Sequence, residues 1–110
     1  MLRVSGLDSF YYLPMLHDMR YKGPRLSEII RNTYHRDPLN GDIYIYVSRD
    51  RRTIRLFQYK HHAYELHERT FSNEYRFKKV VLRDGIPTYK MDWKTVMVVL
   101  KSPVIKQIRI

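Results

Sequence analysis

The 110-residue chain contains no cysteine, few glycines and no long apolar segment. Without cysteine, a disulfide framework and a cysteine-ligated metal site are both excluded. The four glycines form neither a phosphate-binding loop nor a dinucleotide-binding fingerprint, so no cofactor is expected. No stretch approaches the roughly 20 apolar residues that cross a bilayer, and the first residues lack the apolar core of a signal peptide. We therefore expect a cytoplasmic protein without membrane contact.

Positive charge is the strongest signal in the composition. The chain has 21 lysines and arginines against 11 aspartates and glutamates, which gives a net charge of +10. This balance favours polyanionic partners, either nucleic acid or an acidic protein surface. The length and the 44% of hydrophobic residues fit a single domain, 1–110, with one core. Because the basic residues are spread along the chain, the charge belongs to the folded body.

The residue pattern predicts an α+β fold: an antiparallel β-sheet, arranged as a meander of hairpins, with two α-helices packed on one face. Apolar residues recur at helical spacing after Gly23-Pro24, and this helix is expected to end before Asp37-Pro38. A turn at Asn40-Gly41 precedes three alternating segments between 42 and 71, with a further turn at His61-His62. The aliphatic side chains of the first segment are expected to face the core.

Further elements flank this meander. Near the N-terminus, SFYYL is interpreted as a short strand that stops at Pro14 and leads into a loop. After the meander, Asp84-Gly85 is predicted to turn another hairpin, and Asp92 is predicted to cap the second helix. The segment VIKQIRI is interpreted as either a terminal strand or a loose tail.

The turn between the first two strands of the meander is rich in arginine. Three arginines surround a single aspartate there, and two more basic residues follow on the next strand. The predicted nucleic-acid contacts are Arg49, Arg51, Arg52, Arg55 and Lys60. Guanidinium groups fork onto phosphates or guanine edges, so the hairpin is predicted to form a positive ridge that binds nucleic acid. As solvent-facing turn residues, the three arginines are expected to add little to stability.

Aromatic residues alternate with other residues beside this turn, at Tyr44, Tyr46, Phe57 and Tyr59. Such an arrangement has two interpretations. The rings could stack on bases, as in sheet-based readers of single strands. Alternatively, they are ordinary strand residues that pair across the sheet, because tyrosine and phenylalanine are common strand formers.

Catalytic and metal-binding chemistry have little support in the sequence. Most aspartates have a structural role at a turn, a strand start or a helix cap. The five histidines lack the spacing of a known zinc signature. We therefore predict no metal, no cofactor and no enzymatic activity, with a small metal-free ribonuclease that uses His67, Arg69 and nearby tyrosines as an alternative.

Several short motifs between residues 10 and 71 resemble those of one family. In chain order they are Tyr11-Tyr12, Asp18-Met19-Arg20, Asp37-Pro38-Leu39-Asn40-Gly41-Asp42, the arginine-rich run 49–52 and Ile54-Arg55-Leu56. Their order and spacing resemble the small accessory protein, often called TnpB, encoded by the second reading frame of insertion-sequence-66 type bacterial transposons. Residues 72–110 look like an extension with a hairpin, a helix and a tail.

The resemblance implies an accessory role in DNA transposition by a bacterial mobile element, beside a separate transposase that cuts and joins DNA. Two functions fit this role. The chain is either a DNA-binding factor, with the element's ends as a possible target, or an adaptor that docks on the transposase without direct DNA contact. Candidate interface or structural residues are Asp18, Met19, Arg20, Asp37, Pro38, Gly41 and Asp42. For the first three, an internal salt bridge that pins a loop is the structural alternative.

Overall fold

The computed structural model describes residues 8–72, 75–77, 88–92, 94–96, 98 and 104–105. Along the chain its elements are β1 (Phe10–Tyr12), α1 (Gly23–Asn32), β2 (Ile43–Val47), β3 (Thr53–Lys60), β4 (Ala63–Thr70), β5 (Tyr75–Arg76), β6 (Tyr89–Met91) and β7 (Val104–Ile105). Residues 94–96 and 98 are also helical. A sheet accompanied by helices agrees with the predicted α+β content.

Helix α1 lies where the sequence predicts it. Pro24 occupies the first turn, where its missing N–H has no intrahelical partner to lose. The N–H of Thr33 closes the last turn on the carbonyl of Ile29, at 2.8 Å. Leu26 and Ile30, one turn apart, are buried against the sheet. The helix is therefore held by one apolar face.

The first residue of α1 lies directly against β4. A Cβ on Gly23 would be 2.5 Å from the Cβ of Tyr64, a distance at which one of the two segments would have to move. Glycine at this position lets the helix backbone approach the strand. This contact fixes the start of α1 over one side of the sheet.

The five-stranded sheet is mixed, with the strand order β4-β3-β2-β1-β6. The predicted antiparallel meander is present in β2, β3 and β4. However, β1 runs parallel to β2, with Phe10 opposite Ile43, and antiparallel to β6. A parallel pair needs a crossover connection, which the segment containing α1 supplies. The prediction of a purely antiparallel meander of hairpins is therefore wrong for β1.

Both faces of the sheet are covered, so the prediction that the two helices share one face is wrong. Successive residues of a strand point to opposite faces, and in β2 both sets are buried. The aliphatic face belongs to a cluster of Phe10, Tyr12, Ile43, Ile45, Val47, Ile54, Leu56, Phe77 and Val96. The α1 face belongs to a cluster of Leu13, Leu16, Leu26, Ile30, Tyr44, Tyr46 and Phe57. Val96 comes from the later helical segment, which thus packs opposite α1.

The aromatic residues of β2 and β3 are core residues. Tyr44, Tyr46 and Phe57 are all 0% exposed, so base stacking on these rings is excluded and the strand-former interpretation is confirmed for them. Buried tyrosines need a hydrogen-bond partner for the hydroxyl. Arg36 Nε donates to the Tyr44 hydroxyl at 3.1 Å, and Arg55 Nη1 donates to that of Tyr46 at 3.2 Å. Burial raises the pKa of both tyrosines.

The turns and the cap predicted in the described segments are present. His61 and His62 have φ values of 53° and 62° and join Lys60 to Ala63, as in a two-residue type I′ hairpin turn. Asp92 Oδ1 accepts a hydrogen bond from the N–H of Thr95 at 2.7 Å, which makes it the N-cap of the helical segment that follows.

The C-terminal hairpin prediction falls partly outside the described residues, because Asp84-Gly85 is not among them. The strand segments on either side have other partners. β5 pairs with β7, and β6 pairs with β1. Val104–Ile105 is a strand, which favours the strand interpretation of the segment VIKQIRI.

Candidate nucleic-acid interface

The turn between β2 and β3, residues 48–52, is called the basic tip below, and it is internally bonded. Ser48 Oγ donates to Asp50 Oδ1 at 2.7 Å, and the same oxygen accepts the N–H of Arg52 at 3.0 Å. These two bonds, the backbone one first, lower the pKa of Asp50. Asp50 therefore organises the turn, which carries three arginines against this one carboxylate.

The three arginines of the basic tip have different environments. Arg49 is exposed, and Arg51 is partly buried with a φ of 60°. The guanidinium of Arg52 donates from Nε and Nη2 to the backbone carbonyl of Phe71, at 3.2 and 3.1 Å. Arg52 thus ties the basic tip to the segment after β4, so the expectation that all three arginines add little to stability does not fit Arg52.

Arg55 lies inside the protein. It is 7% exposed, and its Nε and Nη2 donate to Glu68 Oε1 at 3.2 and 2.8 Å. Nη1 donates to the carbonyl of Tyr21 at 2.5 Å, and Nη2 donates to the carbonyl of Met19. Burial alone would lower the pKa of Arg55, but the bonds to Glu68 and to the Tyr46 hydroxyl raise it. The structure gives Arg55 the role of a clamp on the loop before α1.

Lys60 is exposed but far from the basic tip. It ends β3 next to the His61-His62 turn, whereas the tip precedes Thr53. Seven residue steps of about 3.3 Å separate Lys60 from Thr53 by roughly 23 Å. The predicted ridge is therefore not one continuous surface.

The loop of residues 15–21 contains the Asp18-Met19-Arg20 motif. Arg20 Nη2 contacts Asp18 Oδ2 at 2.6 Å, and the N–H and Nε of Arg20 bond Asp18 Oδ1 at 2.9 and 3.0 Å. The side-chain bond from Arg20, followed by its backbone bond, lowers the pKa of Asp18 from 3.8 to about 2. The internal salt bridge is thus present, while the Arg20 side chain stays 87% exposed.

A second contact fixes the same loop to the sheet. The Nδ1 of His17 donates to the carbonyl of Val47, the last residue of β2, at 2.9 Å. Together with the Arg55 clamp, this bond holds the loop beside the end of the β2–β3 hairpin. Neither contact has a local signal in the sequence, because the residues they join are 30 and 34 positions apart.

The loop and the basic tip form the two walls of one groove. It has a volume of about 670 Å³ and is lined by residues 15–21 and 48–50. Arg20 from the loop and Arg49 from the basic tip both line the groove, and Met15 lines it with 74% of its surface exposed. Two sets of predicted site residues, separate in the sequence, are thus brought together. Met15 and His17 are lining residues that the sequence reasoning did not single out.

The remaining motif residues lie at the other end of β2 and have structural contacts. Asp37 Oδ1 accepts the N–H of Leu39 at 2.9 Å, and Pro38 is buried. Asp42 pairs with Arg36 at 3.1 Å. Gly41 has a φ of 93° and offers its carbonyl to Gln58 Nε2 at 2.9 Å. These contacts shape the turn that leads into β2.

The described residues contain no group of three or more histidine, aspartate or glutamate side chains that could hold a metal ion. His67 and Arg69, the residues of the ribonuclease alternative, lie two positions apart on the exposed strand β4. Tyr64 and its cross-strand neighbour Tyr59 project from the opposite face of the sheet. His67 and Arg69 therefore share one face of the sheet, and the two tyrosines share the other.

Fold and groove together describe a small mixed-sheet protein with a groove between an arginine-rich turn and an internally bonded loop. The family described as IS66 Orf2 like protein matches residues 9–109, and the chain belongs to this family. The match confirms the resemblance seen in the motifs and reaches beyond residues 10–71. Members are accessory proteins of transposition. Neither a curated protein nor a solved structure matches the chain.

Within the described residues, none of the helices has the length and apolar character needed to cross a membrane.

Proposed function

We propose that this accessory protein acts without catalysis and binds nucleic acid, with DNA as its target, through the groove between the basic tip and the loop of residues 15–21. One observation carries the proposal: Arg49 and Arg20, from segments about 30 residues apart, line the same groove. Arg49 is exposed and its guanidinium can bind a phosphate bidentately, whereas the Nε–Nη2 edge of Arg20 is engaged by Asp18, so Arg20 would contact a phosphate from its Nη1 side.

The charges around the groove support the proposal. Asp18 is engaged by Arg20, and Asp50 is engaged by Ser48 and the backbone of the tip. Both carboxylates therefore already have hydrogen-bond donors, while Arg49 is exposed. The net charge of +10 adds a long-range attraction for a polyanion. Phosphate contact of this kind positions the protein without reading sequence.

Met15 favours the adaptor as a second candidate function. Its side chain is 74% exposed beside charged residues of the groove, and an apolar side chain adds nothing to phosphate binding. A thioether among charges is instead typical of a protein contact. In this alternative, the groove receives a segment of the transposase.

The test is salt-dependent binding of labelled duplexes, measured by fluorescence anisotropy with element ends and with scrambled sequence. The tip variant combines Arg49→Ala with Arg51→Asn, because asparagine tolerates the positive φ at position 51. Each lost phosphate contact flattens the log–log salt slope by about 0.9, so the variant should lose up to about 2 units on both duplexes. Arg52 is left intact because it binds Phe71.

Lys60→Ala is the matched control, since it removes one exposed positive charge from the far end of the same hairpin. We expect it to retain the wild-type slope to within half a unit. An equal loss in the control and in the tip variant would show that binding is spread over the surface and would contradict the proposed site. If no duplex binds at low salt but the transposase co-purifies after nuclease treatment, the adaptor function is the correct one.

A further inference from the structure

Strand β4 closes one side of the five-stranded sheet and runs for eight residues. Its residues are exposed or half-exposed along the whole strand. Edge strands of soluble proteins are usually short, bulged or interrupted by proline, because their unpaired backbone groups attract other strands. β4 contains no proline, and its register with β3 is continuous from Thr53 opposite Thr70 to Lys60 opposite Ala63. β4 has none of these three protections, but it carries the charged residues Glu65, Glu68 and Arg69, which disfavour pairing with a strand of unmatched charge.

The direction of the backbone groups along β4 follows from its neighbours. The N–H of Ser48 donates to the carbonyl of Thr53 at 2.9 Å, so Thr53 directs its backbone toward β2. The backbone N–H and C=O groups of successive residues point to opposite sides of a strand. Those of the next residue, Ile54, therefore point toward β4, and those of its partner Arg69 point toward β3. The residues of β4 whose backbone faces outward are therefore Tyr64, Leu66, Glu68 and Thr70. The N–H of Phe71, which donates to the carbonyl of Arg52 at 2.8 Å, agrees with this alternation.

We propose that β4 is a dimerisation strand, which pairs antiparallel with β4 of a second copy around a two-fold axis at His67. In this register the outward residues of both copies form the hydrogen-bonded pairs. Glu65 lies opposite Arg69 of the second copy, and by symmetry Arg69 lies opposite Glu65. Glu65, His67 and Arg69 are alternate residues of one strand and thus share one face of the extended sheet.

Charge selects this register from the alternatives that the backbone allows. If the register shifts by one residue, each residue whose backbone N–H and C=O point outward lies opposite a residue whose groups point inward. No ladder of hydrogen bonds forms between the two strands in that case. A shift of two residues in one direction places Glu68 opposite Glu68 of the second copy. The same shift in the other direction places Arg69 opposite Ala63. The register centred on His67 alone forms two opposite-charge pairs, and like charges do not face each other in it.

The absence of cysteine provides a direct test, because a single introduced cysteine has no competing thiol. Residues that face each other in a non-hydrogen-bonded pair have Cα atoms about 4.5 Å apart, within the range of a disulfide. His67→Cys should therefore form a covalent dimer under mild oxidation. Ala63→Cys is the matched control on the same strand face, since it would lie about 27 Å from its own copy. Equal cross-linking rates for the two variants would overturn the proposal.

Sedimentation equilibrium of the full chain with exposed-charge variants provides a second, independent readout. Glu65→Arg or Arg69→Glu alone places like charges opposite each other twice and should weaken the dimer at least tenfold. The double variant restores two opposite-charge pairs and should regain the wild-type dissociation constant to within about threefold. A wild-type chain that stays monomeric at concentrations of about 100 µM, or a double variant no tighter than the singles, would refute the inference. Neither readout depends on DNA binding.

Discussion

Replacement of Arg55 by methionine should destabilise the fold more than loss of any exposed arginine. The substitution retains an unbranched stem but removes a guanidinium that serves two loop carbonyls, those of Met19 and Tyr21, and the hydroxyl of Tyr46. A buried polar group left without its partner costs about 1 to 3 kcal/mol. Glu68 is about half exposed and regains water, so its contribution is small.

Water at the groove can reach part of the freed loop, so the three losses do not add fully. We therefore expect the free energy of unfolding to fall by about 2 to 4 kcal/mol. That is a large part of the roughly 5 to 15 kcal/mol by which a domain of this size is stable. Urea unfolding followed by circular dichroism measures the loss as a lower midpoint at an unchanged slope.

Two further variants define the cause. Arg49→Met removes an exposed guanidinium and should change the free energy of unfolding by less than about 0.5 kcal/mol. Arg55→Lys keeps the positive charge but lacks the planar guanidinium that donates several hydrogen bonds. Its free energy of unfolding should therefore lie between those of the wild type and Arg55→Met. Hydrogen exchange should rise selectively in the loop of residues 15–21. A loss below about 1 kcal/mol for Arg55→Met, with loop protection unchanged, would refute the role of Arg55 as a clamp.

Three other predictions follow from single contacts. Gly23→Ala should lower the unfolding free energy by about 1 to 3 kcal/mol, because the new Cβ would lie 2.5 Å from the Cβ of Tyr64. Tyr64→Gly removes that Cβ, so the loss from Gly23→Ala should be much smaller when it is measured in the Tyr64→Gly background, and an unchanged melting temperature for Gly23→Ala alone would contradict the close approach. The Asp18 carboxyl should titrate by NMR with a midpoint near 2. Because its pKa in the folded chain lies below 3.8, the Asp18–Arg20 pair is fully formed above about pH 4 and is lost as the pH falls toward 2, whereas a midpoint near 3.8 would exclude the pair in solution. Asp92→Ala should cost about 0.5 to 2 kcal/mol in thermal unfolding while Asp92→Asn, which retains a capping oxygen, should cost less; equal losses would argue against the cap.

The local elements could be predicted because turn and cap chemistry is written in neighbouring residues. Gly23-Pro24 marks the start of α1, and the His61-His62 turn follows from two alternating segments of matched length. The parallel pairing of β1 had no such signal. Three residues of alternating pattern, Phe10 to Tyr12, do not reveal which strand lies beside them. The parallel pairing of β1 with β2 therefore depends on tertiary packing, which the local sequence pattern does not reveal.

The faces of β2 show a second limit of sequence reasoning. Alternation of isoleucine with tyrosine predicts one buried and one exposed face, because a tyrosine hydroxyl normally seeks water. Here Arg36 and Arg55 take the place of water for Tyr44 and Tyr46. Arg36 lies between α1 and β2, and Arg55 lies on β3, so the burial of this face depends on contacts from outside β2 that the alternation within the strand does not contain.

The candidate site was predictable in part. The arginine content of residues 49–52 identified the basic tip, and the motif at Asp18 identified the loop. That the two face each other across a groove was not predictable, because it depends on Arg55 and His17. Arg55 was predicted to contact nucleic acid because of its charge, but its position on β3 directs its side chain into the protein.

The clamp on the loop of residues 15–21 has a thermodynamic consequence for recognition. Fixing one residue of a mobile segment costs about 1 to 2 kcal/mol in conformational entropy. If a loop becomes ordered only when it binds, this cost makes the binding free energy less favourable. In this chain, the guanidinium of Arg55 and the imidazole of His17 meet that cost during folding. The wall of the groove is thus preorganised, so the binding that we propose for this surface should proceed as nearly rigid docking, without a step that orders the loop.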